Sequence, residues 1–83
     1  MSFAQADTLH GRVSAIVRIV AKYHRVKEED IMGKSKMAKV VAARHEVWHR
    51  MNVQMGFSYS RIAQHCNVDR ASVQKACENV ERR

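Results

Sequence analysis

Residues 59–78 read YSRIAQHCNVDRASVQKACE, Tyr59 to Glu78, and this stretch decides the fold. Ile62, Cys66, Val68, Val73 and Ala76, with the small Ala63, stand where two short helices crossing at a tight turn need apolar or small side chains. Ser58 or Ser60 can cap the first helix. Asn67 can take the left-handed conformation that closes it, and Asp69 can cap the second helix. The spacing predicts a helix-turn-helix over about residues 58–80. Ala63 is small where the helices cross, because a larger side chain would force them apart.

The second of these helices, about Arg70 to Val80, turns Val73, Ala76, Cys77 and Val80 inward. Its other face offers Arg70, Ala71, Gln74 and Lys75, with Ser72 beside them, the polar and basic set that a helix reading the major groove needs. Ser60 and Arg61 at the start of the preceding helix and Asp69 at the turn complete the candidate contact set in this region. A plain helical hairpin with a solvated face would present the same residues, and the charge balance decides between the two. Fifteen Lys and Arg against eight Asp and Glu give a net charge of +7 and a pI near 10.0. A domain this small and this basic suits an anionic partner, nucleic acid first. A membrane surface suits it less, because no stretch joins an uninterrupted apolar face to a Lys-rich face with interfacial aromatics.

Upstream, GKSKMAK at 33–39 supplies Lys34, Ser35, Lys36 and Lys39, a short basic loop before a helix start. Such a loop can hold phosphate or lean into a minor groove. The long helix that follows, about Lys36 to Met55, carries Val40, Val47, Trp48, Met51 and Met55 on one stripe and ends at Gly56. That spacing makes the methionines and Trp48 core residues. Earlier, Glu28, Glu29 and Asp30 place acid at the start of a short helix closed by Gly33. A first helix spans about Thr8 to His24, with Leu9, Val13, Ile16, Val17 and Val20 on its apolar face and Asp7 or Thr8 as its cap.

Proline is absent, only three glycines occur and strand signals are missing. The expectation is an all-α, compact helical bundle of about five helices, one domain over residues 1–83. No apolar run approaches the roughly 18 residues of a membrane span, and no leader pattern opens the chain, so the cytoplasm is the expected compartment. Cys66 and Cys77 are too few for a disulfide framework and read as reduced core thiols.

The order of parts, IVAKYHRVKEEDIMGKSKMAKVVAARHEVW followed by YSRIAQHCNVDRASVQKACENVE, resembles the C-terminal DNA-binding domain of the bacterial replication initiator DnaA. It is most similar to the stand-alone DnaA-like domains of phages and prophages, over about residues 13–82. The resemblance implies a first helix ending in an aromatic pair, here Tyr23 and His24, then a short helix and a basic loop that enters the minor groove at Lys34, Ser35 and Lys36. It also implies a long helix with Arg44 in a phosphate-facing region, and a recognition helix opening at Asp69. Where the family reads Asp-His-Thr or Asp-His-Ser, this chain has Asp69 followed by Arg70, Ala71 and Ser72. Groove placement carries over better than base preference, so a target other than the usual initiator box is expected. The family's ATPase module has no counterpart, because G-x-x-x-x-G-K-[ST] does not occur, and the chain is not expected to initiate replication by itself. Double-stranded DNA is the implied partner, a replication or transcription protein a candidate second one, and no cofactor is implied. The alternative from another class is a small basic adaptor that binds a replication protein.

One motif points elsewhere. HEVWH, His45 to His49, has the H-E-x-x-H form of zinc peptidases. A catalytic zinc needs a third protein ligand and an open position, and no His follows His49 at the spacing that would supply it. Asp69 is better used as a cap. The reading is therefore Val47 and Trp48 in the core, the histidines near the surface, and no catalytic or metal-binding residue.

Overall fold

The computed structural model describes the backbone of residues 2–82 and the side chains of residues 11–82. Among these residues five helices and no strand occur: α1 Ser2–His24, α2 Glu28–Met32, α3 Ala38–Met55, α4 Tyr59–Cys66 and α5 Arg70–Glu81. α3 is the hub and packs against each of the other four, while α4 and α5 pack on each other as a helix-turn-helix.

The core follows the apolar spacing. Val13, Ile16, Val17, Val20 and Ala21 of α1 meet Ile31 of α2, Ala43, Val47, Trp48 and Met51 of α3, Ile62 and Ala63 of α4, and Val73, Ala76 and Cys77 of α5. Burying a side chain such as Ile62 contributes about 1.5–3 kcal/mol. No polar or charged side chain is buried among the described residues, so this core contains no unpaired charge to be compensated. Phe57 is also buried, although it lies outside any helix. Asn52 Nδ2 donates to its carbonyl at 2.8 Å and ties it to α3.

The helix ends explain the corners. α1 stops where Arg25 takes φ 58°, and the Val26 N–H reaches back to the Ala21 carbonyl at 3.0 Å, which satisfies an end carbonyl of the helix. Gly56 (φ 70°) closes α3 and Asn67 (φ 57°) closes α4, both left-handed as their residue types allow. Of the two candidate caps for α4, Ser58 is the one used, its Oγ accepting from the Arg61 N–H at 3.1 Å.

Several expectations need correction. α1 begins at Ser2, so Asp7 and Thr8 lie within the helix and do not cap it; nothing in SFAQAD breaks a helix. The side chain of Leu9 lies outside the described residues. α3 starts at Ala38, two residues later than expected, because Met37 is extended and its N–H turns to Ser35 Oγ at 3.4 Å. Lys36 therefore belongs to the loop. Asp69 stands at the N-cap of α5 but makes no side-chain cap hydrogen bond. Val68 is 38% exposed on the rim of the α4–α5 turn, where its N–H closes onto the Ala63 carbonyl at 3.0 Å. Val80 is only half-buried, at the last turn of α5, where packing thins out.

Candidate nucleic-acid interface

The basic loop and the start of α5 are far apart in sequence but adjacent in the fold. Gly33, Lys34 and Lys36 from the loop and Asn67, Asp69 and Ser72 from the turn and α5 line one open concavity of about 460 Å³, floored by Trp48 and Cys66. Lys34, Lys36, Lys39, Ser60, Arg61, Asp69, Arg70, Ala71, Ser72 and Lys75 are all exposed, whereas Ser35, Arg44 and Gln74 are half-buried. None of the ion pairs among the described residues engages Lys34, Lys36, Lys39, Arg61, Arg70 or Lys75.

Arg44 lines the same concavity, half-buried, and its guanidinium is engaged by backbone carbonyls. Its Nε donates to the Ile31 carbonyl at 2.8 Å, one terminal nitrogen to the Asp30 carbonyl at 2.9 Å and the other to the Ser35 carbonyl at 3.0 Å. The guanidinium thereby satisfies end carbonyls of α2 and fastens the basic loop to α3. It acts on Lys34 and Lys36 by holding the backbone that carries them.

On α5 the buried residues Val73, Ala76 and Cys77 fix which side faces out. At about 100° per residue, Ala71 and Lys75 are the most outward, with Arg70 and Gln74 on one flank and Ser72 on the flank that meets the basic loop. Gln74 Nε2 lies 3.3 Å from Glu78 Oε2, one turn further along. At the start of α4, the Arg61 guanidinium lies 4.1 Å from the centre of the Phe57 ring, which steadies a long side chain at the surface.

Tyr59, the half-buried first residue of α4, has no place among the sequence-derived contact residues. Its phenol is held above the usual range, first by desolvation and then by Cys77, Glu81 and Glu78, with Arg70 acting in the opposite direction. It therefore sits beside the flank of α5 that carries Arg70. Burial raises both thiols, Cys66 and also Cys77, which reaches about 11, in keeping with packed, protonated residues.

The HEVWH residues are committed in separate directions. His45 stacks on Trp48 with ring centroids 5.5 Å apart. Glu46 accepts from Arg50 Nε at 2.9 Å and pairs with His24 Nε2 at 2.8 Å. Burial alone would push its carboxyl up, but His24 and Arg50 outweigh that and hold it below the ordinary value. His49 pairs with Glu81 at 3.3 Å. Among the described residues no group of three or more His, Cys, Asp or Glu converges as metal ligands would. Replacing both His45 and His49 with Ala is expected to leave duplex binding within a few-fold and to abolish no peptidase activity. Stoichiometric zinc together with chelator-sensitive proteolysis would overturn that expectation.

A recognition helix carried on a compact bundle, with a basic loop set beside its first turn, defines a helix-turn-helix domain of the nucleic-acid-binding type. The chain belongs to the family described as bacterial DnaA protein helix-turn-helix, whose model matches residues 13–80. No curated protein and no solved structure matches it. No helix among the described residues is long and apolar enough to cross a membrane.

Proposed function

We propose that this domain binds double-stranded DNA, with the first half of α5 in the major groove and the loop at 33–37 on the adjoining backbone or in the minor groove. The observation that carries this reading is the meeting of Lys34 and Lys36 with Asp69 and Ser72 around one concavity, beside cations that pair with no carboxylate among the described residues. An α-helix fits the major groove of B-DNA, and phosphate contacts from a neighbouring loop fix its register. The exposed or half-buried Arg70, Ala71, Ser72 and Gln74 are the base-facing set. Lys34, Ser35, Lys36, Lys39, Ser60, Arg61 and Lys75 hold the backbone, Asp69 sets the start of α5, and Arg44 acts through the loop. Membership of the bacterial DnaA helix-turn-helix family supports a binding role in bacterial or phage replication or transcription control rather than a catalytic one.

The test is a salt titration of duplex binding. Neutralising Lys34 and Lys36 together with Ala is expected to weaken binding to all duplexes and to reduce the slope of log K against log salt by about one to two. An unchanged slope would remove the loop from the interface. The adaptor reading is supported by the exposed Ile19 and Tyr23 of α1, and it requires binding to a replication protein that persists when duplex binding is lost.

A further inference from the structure

Glu78 is an acid on the exposed side of the helix that this reading sends into a polyanion, and the DNA-binding role gives it no obvious place. Its one polar partner on α5 is Gln74, whose Nε2 lies 3.3 Å from Glu78 Oε2. A carboxylate only accepts hydrogen bonds, so the amide must turn its NH2 group, not its oxygen, toward Glu78. That fixes an orientation which a lone glutamine on a solvated helix would not keep. The remaining N–H and the Oε1 of Gln74 are left side by side, one donor and one acceptor.

We propose that Glu78 is a positioning residue that orients Gln74 to read adenine and keeps the second half of α5 from gripping DNA indiscriminately. The proposal rests on the DNA-binding reading above. Adenine offers a donor at N6 and an acceptor at N7, the complement of the pair that the held amide presents. Guanine offers two acceptors, so the fixed Oε1 would face O6 with no proton between them. Released from Glu78, the amide can rotate and donate to guanine instead, and the discrimination fades. The charge pattern of the helix agrees: Arg70 and Lys75 lie in its first half, Glu78 and Glu81 in its second. Glu81 is paired with His49, whereas Glu78 is the acid within α5 that meets a candidate base-reading residue, Gln74. Gln74 stands four residues from Arg70, about 6 Å along the axis, so the two side chains reach bases one or two steps apart.

The experiment uses the full chain and a duplex enriched from a random pool, with the base that Gln74→Ala affects most replaced in turn by adenine, guanine and 7-deazaadenine. The wild type is expected to prefer adenine to guanine by about tenfold and to lose most of that preference with 7-deazaadenine. Glu78→Ala is expected to bring the adenine-to-guanine ratio within about twofold while binding to an unrelated duplex tightens by about threefold. Glu78→Gln, which still offers Gln74 an acceptor, should keep most of the ratio but share the tighter non-specific binding. A purely structural role would instead lower the melting temperature and weaken every duplex alike. An unchanged ratio in Glu78→Ala, equal behaviour of Glu78→Ala and Glu78→Gln, or no base affected by Gln74→Ala would overturn the proposal with DNA binding intact. Absence of salt-dependent binding to any duplex would sink the underlying reading itself.

Discussion

Replacing Arg44 with Ala is expected to destabilise the domain by about 2–4 kcal/mol, because three backbone carbonyls lose a charged donor at once. Hydrogen bonds to charged groups contribute about 1.5–3 kcal/mol each; the site is half-exposed and the three share one side chain, so the sum is discounted. In a domain of this size a loss of that order lowers the melting temperature by roughly 10–25 °C. The effect on function follows from the same contacts. With Asp30, Ile31 and Ser35 unfastened, the loop no longer holds Lys34 and Lys36 beside the start of α5, so binding measured well below the new melting temperature should also weaken. Lysine at position 44 reaches one carbonyl but cannot reproduce the three-way fork, and it should fall between the two. A melting temperature within about 2 °C of the wild type would show that the guanidinium contributes nothing to the fold.

The second large effect belongs to Arg70, the first residue of α5, exposed and engaged in no ion pair found among the described residues. An arginine at the opening turn of a recognition helix can donate two hydrogen bonds to O6 and N7 of a guanine. Arg70→Ala should therefore cost about 1–3 kcal/mol on the preferred duplex and much less on an unrelated one, narrowing the gap between specific and non-specific binding. Equal losses on both duplexes would make Arg70 a phosphate anchor and leave Gln74 and Ser72 as the readers of bases.

Much of this was legible in the sequence because it depends on local chemistry. Asn67 announces a left-handed helix end, Gly56 a helix stop, Ser58 or Ser60 a cap, and the spacing of Ile62, Ala63, Val73 and Ala76 the crossing of α4 on α5. What escaped depends on contacts between distant segments. Ala43 is too small to register as part of an apolar stripe, and Phe57 follows the end of a helix, yet both are buried because α3 touches every other helix. For Arg44 the resemblance implies a phosphate-facing place, and no local pattern marks a guanidinium that also caps a helix 13 residues back. The apolar stripe places the start of α3 only to about Lys36, and the Ser35 turn that sets it at Ala38 is a matter of loop geometry. For the H-E-x-x-H motif the sequence offers only a ligand count, whereas the separate engagements of His45, Glu46 and His49 come from the fold.

That side chains of α5 read bases is tested most directly by selecting bound duplexes from a random pool with the intact chain. The expected result is an enriched motif containing a guanine, whose enrichment at that position disappears with Arg70→Ala. A bound pool that keeps the base frequencies of the input would contradict base reading by α5.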